Sequence, residues 1–193
     1  LISIAFLFWV LCDLVTWVSN KSDIIFFVWS FFGILYALIS LLSVYFVFAF
    51  LDKGDVSWRV KSALGILFLP IVLLTPTAYN LATFSLVDCG IPNEGFYFTN
   101  YYYLVGFIAF FWIMFLIFSR VRQVKLPRDM RKQTLFFGIG IESFLLSFFI
   151  SGFLASFLVD QGFVSDFGLE MYGLFGMPVF MGFLGYLMVR YQA

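Results

Sequence analysis

The stretch IIFFVWSFFGILYALISLLSVYFVFAFL, residues 24–51, runs from Ile24 to Leu51 without one charged side chain. A bilayer core of about 30 Å needs roughly 20 apolar residues of helix. The run is therefore long enough to cross with tilt, or to protrude. It lacks the alternation of apolar and polar residues that a membrane β-barrel strand shows. Five more runs of the same kind accompany it. In order, the six cover residues 1–18, 24–51, 64–86, 101–119, 134–159 and 167–189, and are called runs A to F. The chain reads as all-α, a polytopic transmembrane helix bundle with six visible spans in a single domain over residues 1–193.

Composition points the same way. Hydrophobic residues make up 63% of the chain and charged ones 11%, where a soluble domain has about a quarter charged. Too few polar residues remain to cover a soluble core, so the surface faces lipid. The net charge of zero conceals a segregation. Lys53, Arg59 and Lys61 fall between runs B and C. Arg120, Arg122, Lys125, Arg128, Arg131 and Lys132 fall between D and E, and Arg190 follows F. If the spans alternate, all these share one side, and only Lys21 lies opposite. Asp23, Asp88, Glu94, Asp160, Asp166 and Glu170 lean to that opposite face. Basic loops stay in the cytoplasm, so the B–C loop, the D–E loop and the C-terminus are expected there, in a cell (inner or plasma) membrane.

Phe96, Tyr97, Phe98, Tyr101, Tyr102 and Tyr103 cluster where run D begins. Such rings suit the membrane interface, apolar in body and wet at the hydroxyl, and a binding role is the alternative. Trp17 and Trp29 flank the A–B loop in the same manner.

Small residues set which helix faces approach closely in a bilayer. Ser143, Ser147, Ser151 and Ala155 form a stripe on run E, and Gly33, Ala37 and Leu41 another on run B. Run F carries Gly173, Gly176, Gly182 and Gly185. These faces make either the bundle interior or the seam of a homodimer. Pro70 and Pro76 in run C and Pro178 in run F each remove a backbone donor and are expected to kink their helices. Thr75, Thr77, Tyr79 and Asn80 follow the first kink. They either satisfy the broken backbone or line a ligand pocket, for which Thr75, Tyr79, Asn80 and Tyr102 are the candidates. Two carboxylates stand inside runs: Glu142 in E and Asp13 in A. No lysine or arginine is mid-span to pair with them, and acids at such depth usually have a partner or a function. Glu142 is the candidate for proton or signal coupling, either protonated or hydrogen-bonded to a serine or tyrosine; Asp13 is expected to reach water near the outer end of A.

The chain has no histidine, which removes haem ligation, most zinc sites and His-based acid–base chemistry. Its two cysteines, Cys12 and Cys89, are too few for a disulfide framework and are expected to be free thiols. Gly138 and Gly140 match no nucleotide fingerprint. All five lysines lie in loops or at helix ends, so none can carry a mid-helix Schiff base. Expected, then, are no enzyme activity, no cofactor, no metal and no nucleic-acid partner. The D–E loop can attract anionic lipid headgroups.

Certain short motifs resemble a known family. Phe8-Trp9-Val10-Leu11 with Trp17, Leu69-Pro70 followed by Asn80, and Arg131-Lys132-Gln133 leading to Gly138 are three of them. The fourth is Gly185-Tyr186-Leu187-Met188-Val189-Arg190-Tyr191 at the end. With these the chain resembles the seven-transmembrane N-terminal sensor region of bacterial histidine kinases and some diguanylate cyclases. The resemblance implies a first helix before Leu1, consistent with a chain that does not begin with Met, and seven spans in the complete protein. It also implies a sensor that passes an external or membrane stimulus through run F to a cytoplasmic output domain or partner protein. The alternative is an accessory or structural subunit of a larger membrane complex, or a small transporter. Runs A–C and D–F show no internal repeat of the transporter kind.

Overall fold

A computed structural model describes residues 1–84, 92–122, 127–164 and 168–191, without the side chains of residues 82–84, 92, 93, 156, 160, 170 and 191. The fold is all-α. In chain order the helices are α1 (Ile2–Val18), α2 (Ser22–Trp29), α3 (Phe32–Asp52), α4 (Trp58–Leu74), α5 (Phe96–Val121), α6 (Arg128–Asp160) and α7 (Gly176–Tyr191). A 3-10 segment, Gly168–Phe175, leads into α7. Between α4 and α5, β1 (Leu81–Phe84) pairs antiparallel with β2 (Pro92–Glu94), a ribbon that hydropathy gave no sign of.

Among the described residues, four helical segments are long and apolar enough to cross a membrane: Ser22–Asp52, Phe96–Val121, Arg128–Val159 and Met171–Arg190. The chain is thus a membrane-spanning helical protein. Runs A and C form shorter helices of 17 residues, about 25 Å at 1.5 Å per residue against a core of about 30 Å.

The departures from the expected boundaries have local causes. Run C is helical from Trp58, not Leu64, and stops at Leu74; its expected end, Leu86, lies outside the described residues. Pro76 cannot donate to the backbone and its ring clashes with the carbonyl four residues earlier. The chain instead turns tightly. Thr75 Oγ1 donates to the Ile71 carbonyl (2.7 Å), Thr77 Oγ1 to that of Leu74 (2.6 Å), and Asn80 N to that of Thr77 (3.1 Å). Run B is broken at Ser30 and Phe31, where the Ser30 hydroxyl donates to the Phe27 carbonyl at 2.6 Å. Such side-chain bonds compete with the helix ladder. Pro178, expected to kink run F, is the third residue of α7. There its missing N–H would have had no intrahelical partner. Runs D and E start early, at Phe96 and Arg128, so Tyr101, Tyr102 and Tyr103 lie a turn into α5 and Arg131 and Lys132 lie on α6. Phe96 and Tyr97 are exposed as an interfacial belt requires, whereas Tyr102 and Tyr103 are buried.

The chain divides into two compact units: residues 1–46 with 54–107, and residues 47–53 with 108–193. In the first, the small-residue face of α3 is buried. A Cβ on Gly33 would come within 2.5 Å of the Phe98 ring, so glycine is what admits α5 at that level. Ala37, Ile39, Ser43 and Val44 are fully buried beneath it. In the second unit, α6 is covered by the 3-10 segment and α7. Gly173 lies against the Ser151 hydroxyl and Gly176 against that of Ser147. A Cβ on Gly140 would meet Phe183 at 2.7 Å, and Phe144 stacks on Phe180 with centroids 5.7 Å apart. The stripe of run E therefore packs within its own chain at Ser147 and Ser151. Ala155 is fully buried, and Ser143 is half-buried.

Candidate functional site

Polar side chains concentrate where α2, α4 and α5 end on the ribbon of the first unit. Asn80 is buried, and its amide donates to the carbonyls of Ser30 and Thr75, both at 3.0 Å. One side chain thus satisfies carbonyls released by the α2–α3 break and by the end of α4. Its own carbonyl accepts from Gly95 N at 2.8 Å. At Gly95 a Cβ would collide with the Tyr79 carbonyl, so only glycine allows the strand to pass there.

Glu94, the residue before that glycine, is the hub. Its Oε1 accepts from Trp29 Nε1 at 2.6 Å, and its Oε2 from Thr99 Oγ1 at 2.8 Å and Tyr102 OH at 2.9 Å. Hydrogen bonds to an ionised acceptor are shorter and stronger than neutral ones. Three of them tie α2 and α5 to the ribbon, and the start of α5 suits an acid electrostatically. Around this hub the rings of Tyr36, Tyr102 and Tyr103 touch, with Tyr102 and Tyr103 centroids 4.6 Å apart.

Of the four residues proposed from sequence to bind a ligand, Asn80 and Tyr102 join this constellation through their side chains. Thr75 contributes its carbonyl, while its hydroxyl bonds back into α4. Tyr79 is largely exposed, at 65%. Glu94, Trp29 and Thr99 were absent from that set. The available signal was an acid immediately before Gly95 and an aromatic helix, facing a tryptophan read as an interface anchor.

The second candidate is Glu142 on α6. Both carboxylate oxygens are buried and have no hydrogen-bond partner among the described residues, so of the two states expected from sequence the one bonded to a serine or tyrosine is not seen there. Its helix neighbour Gly138 admits Ile117 of α5 closely, and Gly140 admits Phe183 of α7. A buried acid without a partner is costly, and Glu142 stands on the helix that α7 packs against. Asp13, expected to reach water, is instead 8% exposed on α1 and shares a side-chain hydrogen bond with Trp17.

At the far end of α3 lies an ion pair. Asp55 accepts from Lys61 Nζ at 2.6 Å, Tyr45 OH at 2.9 Å and Val56 N at 2.8 Å. Lys61, and after it Tyr45, hold the Asp55 carboxyl below its ordinary range. Among the described residues no group of three or more Cys, Asp or Glu is placed to hold a metal ion, and Cys12 is a free, buried thiol. Cys89, Asp88, Lys125 and Asp166 lie outside the described residues, as do the side chains of Asp160 and Glu170. Comparison with protein-family models, curated proteins and solved structures finds no match for the chain.

Proposed function

We propose that the chain is a membrane-embedded sensor module whose last helix, α7, passes a change in helix packing to a cytoplasmic output domain or partner protein. The observation that carries this reading is the seam of α6 with the 3-10 segment and α7: glycines meet serine hydroxyls at Gly173/Ser151 and Gly176/Ser147, on the helix that holds Glu142, unpartnered among the described residues. Small-residue contacts allow close approach without deep interlocking of side chains, so two packings of α7 can differ by little free energy. A stimulus acts by binding one packing better than the other. Glu142 supplies a group whose hydration or protonation differs between packings, and the Glu94 cluster anchors the helices of the first unit. The basic residues around the α3–α4 and α5–α6 connections and at Arg190 support a cytoplasmic side for those ends in this reading, by the preference of Lys and Arg for cytoplasmic loops.

The reading is tested on the full chain in nanodiscs, with spin labels at Leu135 on α6 and Val189 on α7 and both Cys12 and Cys89 replaced by serine. Two distance populations are expected, their ratio changing with bilayer thickness or pH, and Gly176→Leu is expected to leave one. A single distribution across all conditions overturns the proposal.

A further inference from the structure

A groove of about 230 Å³ lies on the surface between α3 and α4. Leu38, Leu41 and Leu42 line it from one helix, and Leu64, Gly65 and Phe68 from the other. On each helix the lining positions recur at i, i+3, i+4 and i+7, with Tyr45 and Lys61 completing the sets. From Leu38 to Tyr45 the groove is about 10 Å long at 1.5 Å per residue. One leaflet of hydrocarbon is about 15 Å deep, so the groove matches most of an acyl chain's depth. Gly65 is exposed on its floor, and a Cβ there would meet nothing within 4 Å. The groove is open because this residue has no side chain.

Tyr45 and Lys61 stand together at one end, where the Lys61 ammonium is one-third exposed. An ammonium has three donors, and Asp55 takes one at 2.6 Å. Arg59, exposed, precedes Lys61 by two positions. Trp58, 79% exposed at the start of α4, is the residue type that settles at headgroup depth. The groove thus has apolar walls along its length and the Lys61–Asp55 pair at its mouth, with Arg59 and Trp58 close by in sequence.

We infer that this groove is a phospholipid site: one acyl chain lies over Gly65 between α3 and α4, and an anionic headgroup phosphate is held by Lys61 with Arg59 nearby. The occupant is a lipid because the groove walls are apolar in a chain that spans a membrane, and its polar end offers a phosphate the Lys61 donors that Asp55 leaves unused, with the exposed Arg59 two positions away. The inference rests on the groove and the membrane setting, so it stands or falls separately from the signalling reading.

Native mass spectrometry of the full chain, released from nanodiscs of equal phosphatidylcholine and phosphatidylglycerol with matched acyl chains, tests it. One retained phospholipid per chain is expected. Phosphatidylglycerol should be favoured about fivefold, the factor one basic residue contributes at a membrane surface. Gly65→Phe fills the groove and should abolish retention with helical content unchanged; Leu38→Trp blocks it independently. Lys61→Gln should keep the lipid but bring the headgroup ratio close to one. Retention undiminished in both blocking variants overturns the proposal. So does an unchanged headgroup ratio in Lys61→Gln, or a dimer seated there in place of lipid.

Discussion

Two carboxylates, Glu94 and Glu142, show two ways in which a largely apolar chain treats an acid. Glu94 sits where helices end and accepts from an indole, a threonine and a tyrosine, all within 3 Å. Glu142 sits in mid-helix, both oxygens buried and unpartnered among the described residues. The first acid organises its neighbours: without it, the half-buried Trp29 indole and the buried Tyr102 hydroxyl would each lose a hydrogen bond. The second organises nothing by hydrogen bonding, and its surroundings are set by glycines that let α5 and α7 approach. An acid that holds structure and one the structure merely tolerates should respond oppositely to substitution.

The largest effect is expected in the close packing beside Glu142. Gly176→Leu drives a side chain into the Ser147 hydroxyl and the Phe144 carbonyl, and overpacking of this kind costs about 3 kcal/mol. Thermal unfolding in detergent micelles, followed by tryptophan fluorescence, should show a clear fall in midpoint. An unchanged midpoint would mean that the seam is loose and the contrast between the regions misplaced.

Next comes Glu94→Ala, which takes a hydrogen bond from the half-buried Trp29 indole and from the buried Tyr102 hydroxyl, at about 2 kcal/mol. Glu94→Gln should recover part of that by retaining an acceptor. If the alanine variant melts with the wild type, Glu94 is not a hub. Glu142→Leu should do the reverse and raise stability by about 1 kcal/mol, because a buried polar group without a partner is removed. A loss as large as that of Glu94→Ala would reveal a partner for Glu142 and collapse the distinction.

The smallest effect belongs to the exposed Asp55–Lys61 pair. The folded-state carboxyl of Asp55 is held low, so its contribution is present above the unfolded value of about 3.9. It is lost as pH falls through the folded one. The melting difference between wild type and Asp55→Asn should therefore shrink on acidification from neutral pH. A difference that grows instead would reverse the assignment.

Much of the fold is legible in the sequence. Each long apolar run becomes a helix, because a backbone in lipid must satisfy its own hydrogen bonds and such runs offer no other way to do so. The glycine and serine positions of runs B, E and F are where close packing occurs. Less legible are the ends. Leu74 rather than Leu86 closes α4 because Pro76 and two threonine hydroxyls compete with the ladder, and hydropathy averages over such detail. Within the candidate site, Asn80 and Tyr102 stood out as polar groups in apolar company. Glu94 did not, since an acid in a loop looks ordinary until its partners are known.

What the sequence determined alone is therefore whatever depends on neighbours along the chain: the long helical runs and the segregation of charge. The tertiary structure alone decided which polar groups meet. Trp29 reaches Glu94 across 65 positions, and Asn80 reaches Ser30 across 50. Hydropathy and propensity are local quantities, whereas a hydrogen bond between distant residues exists only once packing has brought them within 3 Å. The same reason leaves Glu142 unpartnered among the described residues: nothing in its own helix could say that no donor would arrive from them.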